Sequence, residues 1–138
     1  MGKSTGKKPA GSGAKLPQAP EPRDYNSETP KFCLHYVHRN FDVSGLTTAQ
    51  QAALARTFRK LSQSSWKTLT FAGKHGQGTE FIASNAINMS PPPRFEGESR
   101  YLVFRYDDVL PMVGVRVDDV FHVLWIEPTI GRLYDHGS

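Results

Sequence analysis

The chain has 138 residues, which fits one folded domain, and its formal net charge is +4. Residues 1–31 carry six basic and three acidic groups, whereas residues 32–138 carry eleven and ten, so the folded part is not a strongly basic nucleic-acid platform. The single cysteine, Cys33, excludes a disulfide framework within the chain. No apolar run approaches the roughly 18 residues of a membrane-spanning helix. We therefore expect a cytoplasmic protein that does not cross a membrane.

The first thirty residues differ in composition from the remainder. They are rich in Gly, Pro, Ser and Lys, and Tyr25 is their only aromatic residue. Such a segment buries too little apolar surface to offset the entropy lost on ordering. The sequence therefore predicts a disordered basic arm over residues 1–30 and one domain over residues 31–138. A basic arm can hold a polyanion in a salt-dependent way, and a solubilising tail is an equally good interpretation.

The first half of the domain combines a strand and helices. Residues 32–37 alternate in polarity, which predicts a strand. Thr47 and Gln50 have the spacing of a capping box, and apolar residues then recur on one helical face, which predicts a helix ending near Gln63. A second, short helix is predicted before Gly73.

The second half reads as an antiparallel meander. The β-rich runs 100–106, 111–117 and 120–126 are separated by pairs of aspartates at turn positions. Residues 79–82 are a further strand candidate, and the proline-rich residues 85–98 read as a surface loop. The predicted fold class is α+β, with one long and one short helix packed on one face of an antiparallel sheet of three to four strands.

This order of elements resembles the RelE/ParE superfamily of small bacterial toxins. The resemblance covers about residues 32–136 and is carried by the segment Leu61-Ser62-Gln63-Ser64-Ser65-Trp66, the glycine-bearing loop 73–78, the arginine-bearing strand 100–106 and the apolar last strand with its polar tail. The RelE branch implies a ribosome-dependent endoribonuclease, and the ParE branch implies action on DNA gyrase. An uncharacterised bacterial or phage family with the same fold is the alternative resemblance.

The chemistry of RNA cleavage indicates which polar residues are candidates for a catalytic site. Attack by the 2′-hydroxyl needs a base, an acid and cations that stabilise the charge on phosphorus, and His, Lys, Tyr and Arg side chains supply these without a metal. The candidates are Lys74, His75, Arg105, Arg116, Tyr134 and His136. His136 is the preferred acid/base candidate because its ordinary pKa is near neutrality. The resemblance implies that the strand arginines and the tail residues gather on one side of the sheet.

Three functions remain open at this point. The first is a toxin-like, metal-independent endoribonuclease that acts on mRNA at the ribosome, uses no cofactor and is neutralised by an antitoxin protein. The second is a non-catalytic interaction module, either gyrase-inhibitor-like or a phage–host factor. The third is a nucleic-acid-binding protein that relies on its basic arm.

Overall fold

The computed structural model describes residues 22–72 and 80–136. Residues 1–21 of the predicted arm lie outside this range, as do Lys74 and His75. The helices and strands are β1 (Lys31–Cys33), α1 (Thr48–Leu61), α2 (Trp66–Ala72), β2 (Glu80–Ala83), β3 (Arg100–Asp107), β4 (Leu110–Val117) and β5 (Val120–Ile126).

The strands form one five-stranded sheet in the order β1-β5-β4-β3-β2. Strands β2 to β5 pair antiparallel, whereas β1 runs parallel to β5 with Phe32 opposite Phe121. The α+β class is confirmed, but the sheet is mixed and has one strand more than the upper prediction. The strand predicted over 32–37 is shorter than expected. The chain leaves the sheet after Cys33, and the amide of His38 then donates to the carbonyl of Leu124 at 2.8 Å.

The helices cover one face of the sheet. Helix α1 begins with the predicted capping box, in which Thr47 and Gln50 each bond the other's backbone amide. The helix ends at Leu61, two residues before the predicted end. The largest side chains that α1 and α2 share with the sheet form one buried cluster: Leu54, Leu61, Trp66, Leu69, Leu102, Phe104, Tyr106, Met112, Phe121, Val123 and Ile126.

The opposite face of the sheet is also covered, whereas the predicted fold has helices on one face and no cover on the other. Tyr101 and Val103 are buried there beneath residues of the loop 84–99 and the C-terminal tail, including Phe95 and Leu133. The proline-rich segment is therefore a packed cover rather than a surface loop alone. The β3 to β5 runs are apolar on both faces because both faces are buried.

A bulge in β5 changes which side chains reach this second face. Val113 pairs with Trp125 and Gly114 pairs with Val123, so Leu124 is an extra residue on its strand. Leu124 and Trp125 consequently both belong to the second core cluster. The bulge shifts the alternation of the residues that follow, which is how such irregularities re-aim side chains. Glu127 therefore points to the loop-covered face and not toward the helices.

Residues 22–30 belong to the folded part, although the sequence interpretation assigned them to the arm. The carbonyl of Glu28 accepts a hydrogen bond from the amide of Trp66 at 2.9 Å. The side chain of Asn26 accepts one from Arg116 at 2.8 Å. Pro30 is buried. These contacts join the segment to α2 and to the end of β4.

Candidate active site

A cleft of about 350 Å³ lies on the loop-covered face beside the edge strand β2. Arg105 from β3 and Tyr134 and His136 from the C-terminal tail line it, together with Glu80 from β2. Three of the six residues proposed from the sequence are therefore brought together. They meet because Arg105 shares the alternation of Tyr101 and Val103, and because the tail folds back along the same face.

His136 is held by a buried carboxylate. Its Nε2 lies 2.6 Å from Oε1 of Glu127, whose side chain has no exposed surface. The other oxygen of Glu127 accepts the amide of Leu133 at 2.6 Å, and its backbone carbonyl accepts the hydroxyl of Tyr106 at 2.7 Å. One oxygen of Glu127 thus accepts the Leu133 amide and the other contacts Nε2 of His136, so Nδ1 is the imidazole nitrogen that remains for a ligand.

Tyr134 packs against one face of the His136 imidazole. The two rings stack with centroids 4.0 Å apart and an angle of 18° between their planes. Burial, followed by the negative charges of Glu127 and Glu80, raises the pKa of Tyr134 to about 12, although Arg105 opposes this shift. The phenol is therefore neutral at physiological pH. It can donate a hydrogen bond in the cleft, but it does not serve as a base.

Arg105 forms an accessible ion pair across the cleft. Its Nη2 lies 3.3 Å and 3.2 Å from the two carboxylate oxygens of Glu80. The side chains are 55% and 33% exposed, so water competes with the contact and the pair contributes on the order of 0–1 kcal/mol. An incoming phosphate can therefore displace Glu80 from the guanidinium at low cost.

Comparison of the chain with protein-family models, curated proteins and solved structures finds no match. The resemblance to the RelE/ParE superfamily therefore rests on the order of elements and on the residues of this chain.

Glu80 and Glu127 were not identified from the sequence. Glu80 occurs at the edge of a candidate strand, and its pairing with Val103 puts it on the same face as Arg105. Glu127 directly follows the last predicted strand, 120–126. The available signal was a carboxylate directly after a continuous apolar run, because such a group is buried only when it is hydrogen-bonded.

Arg116 does not join the cleft, so the expectation that both strand arginines share a face with the tail is wrong. Its guanidinium carbon lies 4.3 Å from the ring centroid of Trp66, on the helix side of the sheet. Its Nε donates to the carbonyl of Asp118 at 2.6 Å. Lys74 and His75 lie outside the described residues.

The described residues also bear on metal-dependent and membrane-spanning classes of function. Within residues 22–72 and 80–136, no group of three or more His, Cys, Asp or Glu side chains is placed to hold a metal ion. No helix in the same part of the chain has the length and apolar character needed to cross a bilayer.

Proposed function

We propose that the chain is a toxin-like, metal-independent endoribonuclease that cuts mRNA by transferring the phosphoryl group to the neighbouring 2′-oxygen. The observation that carries this proposal is the meeting of a carboxylate, a guanidinium and an imidazole in one cleft, from Glu80, Arg105 and His136. These are a base, a cation and an acid, which is the minimum that the reaction requires.

The proposed reaction is one balanced displacement. Glu80 accepts the proton of the 2′-hydroxyl, and the 2′-oxygen forms a bond to phosphorus. The bond from phosphorus to the 5′-oxygen breaks, and His136 gives its Nδ1 proton to that oxygen. As the acid of this step, His136 carries the transferred proton on Nδ1, while its Nε2 keeps the contact with Glu127. Arg105 binds the non-bridging phosphate oxygens, and the products are a 2′,3′-cyclic phosphate and a 5′-hydroxyl.

Glu127 and Tyr134 are positioning residues in this scheme. Glu127 sets the nitrogen of His136 that faces the substrate, and Tyr134 holds the plane of the ring. Both act through His136 and do not themselves exchange protons with RNA. Their place in the fold explains why a C-terminal tail residue can have a defined orientation.

The low net charge of the folded part disfavours tight binding of free RNA. Affinity for RNA scales with the number of phosphates that cations neutralise. Arg105 shares its cleft with Glu80, and the buried Glu127 contacts His136 of the same cleft. Free RNA would bind weakly, so we include presentation of mRNA by the ribosome in the proposal. We also include a cytoplasmic location and a neutralising antitoxin protein that covers the cleft.

The test compares cleavage by the purified full chain with cleavage by single variants. Substrates are a translated mRNA on ribosomes, the same mRNA alone, and a version with 2′-deoxy nucleotides at the cut positions. His136→Ala, Arg105→Ala and Glu80→Gln should each slow cleavage, with loss of the acid or base costing on the order of 10²–10⁴-fold. Arg59→Ala and Glu96→Gln change the same charges at exposed positions outside the cleft and serve as matched controls.

The products and the growth phenotype decide the outcome. A 2′,3′-cyclic phosphate end, together with resistance of the deoxy substrate, supports the proposed reaction. Equal rates for wild type and His136→Ala would overturn it. Growth arrest after induced expression with intact transcripts would also overturn it, and would favour a non-catalytic protein target.

A further inference from the structure

A second cavity, of about 230 Å³, lies on the helix side of the sheet and has no role in the reaction described above. Its lining includes Trp66 from α2, Phe81 from the edge strand β2 and Arg116 from β4. The cavity is also lined by Arg100 and Leu102 of β3 and by the carboxylate of Glu98. One exposed aromatic ring, two planar cations, an apolar wall and one carboxylate therefore meet in one place. Trp66 itself is buried behind the guanidinium of Arg116.

Two guanidinium–aromatic stacks form the walls of this cavity. The guanidinium carbon of Arg100 lies 3.8 Å from the ring centroid of Phe81, and that of Arg116 lies 4.3 Å from the ring centroid of Trp66. Burial lowers the pKa of Arg116 despite the opposing charges of Asp119 and Asp118. Its guanidinium is thus partly withdrawn from water and is held as a planar surface.

Phe81 is the exposed part of this arrangement. Phe81 is 53% exposed and lies on an edge strand. Because so little of its apolar surface is buried, it contributes little to the stability of the fold. Aromatic rings and guanidinium planes are the surfaces on which unstacked bases are bound in single-stranded nucleic acids. The wall formed by Leu102 and the carboxylate of Glu98 suits a neutral heteroaromatic ring with hydrogen-bonding edges better than an isolated phosphate.

The cavity is adjacent to the proposed catalytic cleft. Phe81 lines both, and β2 is the strand that separates them. A single strand that passes over this edge can place a base on one side and a phosphodiester on the other. We propose that the helix-side cavity binds one unstacked base of the single-stranded RNA whose phosphodiester enters the cleft. The identity of the ligand as RNA rests on the proposed function.

The experiment measures binding without cleavage. The His136→Ala chain is titrated with a short RNA oligonucleotide, with oligonucleotides of the same length that carry one abasic position, and with inorganic phosphate. Tryptophan fluorescence reports on the cavity because Trp66 lines it, and tritiated or end-labelled RNA gives an independent affinity. Phe81→Ala in this background should weaken oligonucleotide binding by roughly 5- to 100-fold, the effect of removing one stacking platform.

The matched control is Val109→Ala, which truncates another exposed apolar side chain, in the turn between β3 and β4. This variant should bind as the parent does. One abasic oligonucleotide should also bind more weakly, and Phe81→Ala should not weaken it further. Equal affinities of the Phe81→Ala and Val109→Ala chains would overturn the inference, as would phosphate competing as well as the oligonucleotide.

The two proposals fail in distinguishable ways. Base-dependent binding that needs Phe81, in a chain whose wild-type form cuts no RNA, would refute the nuclease and keep the base site. Cleavage that needs His136, with binding and cleavage both indifferent to Phe81, would refute the base site and keep the nuclease.

Discussion

Glu127 and His136 are joined by a 2.6 Å contact between a carboxylate with no exposed surface and an imidazole that lines the cleft. The pair links the end of the last strand to the end of the described chain. Because Glu127 also accepts the amide of Leu133, one buried carboxylate fixes both the path of the tail and the orientation of its histidine. The arrangement couples the stability of the tail to the chemistry proposed for the cleft.

The first prediction concerns Glu127→Gln. The amide oxygen can still accept from Leu133, but the amide nitrogen would face Nε2 of His136, which leaves the ring without its acceptor. We expect the free energy of unfolding to fall by about 1–3 kcal/mol. RNA cleavage should fall on the order of 10²-fold in kcat because the imidazole is misplaced, with KM little changed.

Urea unfolding and cleavage kinetics on the same preparation check this prediction. Glu96→Gln, an exposed position with the same loss of charge, is the control for both measurements. A variant that unfolds more easily but cuts RNA at the wild-type rate would show that Glu127 has a structural role alone.

The second prediction separates the ring of Tyr134 from its hydroxyl. Its pKa of about 12 means that the phenol does not ionise in the working range, so removal of the hydroxyl changes no charge. Tyr134→Phe should therefore keep the ring stack and most of the cleavage rate. Tyr134→Ala should lose the stack, at about 0.5–1.5 kcal/mol of stability, and should slow cleavage further than Tyr134→Phe does. Equal slowing by both variants would instead assign the role to the hydroxyl.

Local chemistry made part of this fold predictable. The capping box at Thr47 and Gln50 set the start of α1, and the aspartate pairs marked the turns of the meander. Asp108 and Asp118 adopt positive φ angles of 53° and 58°, which aspartate tolerates better than most residues. Along β3, Arg105 keeps the alternation of Tyr101 and Val103, because no irregularity precedes it on that strand.

The incorrect and missing site predictions have two physical causes. The β3 to β5 runs are apolar on both sides, so alternation shows which residues share a face but not which face meets the helices. The resemblance implied that Arg116 lies on the same side as Arg105, and alternation alone could not correct this, although Arg116 lies on the opposite side. Glu127 was missed because the bulge at Leu124 shifts the phase of the strand, and nothing in the sequence marks that bulge. The route of the tail, which brings His136 to Glu127, depends on long-range packing.

The third prediction tests the close approach at Gly114. A methyl group at this position would collide with the backbone carbonyl of His122 on the neighbouring strand. Gly114→Ala should lower the free energy of unfolding by about 1–3 kcal/mol, the usual cost of forcing extra atoms into a packed site. Gly97→Ala is the matched control because its added methyl group meets no atom of the described residues within 4 Å. Equal urea midpoints for the two variants would contradict the register described for β4 and β5.

The fourth prediction concerns the pH dependence of stability. His122 is 8% exposed, and its Nδ1 has no hydrogen-bond partner within the described residues. The rings of Tyr36 and Phe95 pack against it. Burial, followed by the positive charge of Arg94, lowers the pKa of His122 in the folded state.

The sign of the effect follows from proton binding. Below the ordinary histidine pKa of about 6.5, the unfolded chain takes up a proton at this position and the folded chain resists it. The contribution of the uncharged His122 to the free energy of unfolding is therefore fully present above about pH 7. It declines as the pH falls through 6.5, by at most about 1.4 kcal/mol per pH unit.

His122→Phe removes the titrating group and should flatten this part of the stability profile. Urea unfolding between pH 5 and 7.5 measures it, with the exposed His35→Gln as control. Parallel profiles for wild type and His122→Phe would show that the proton uptake on unfolding arises at another residue.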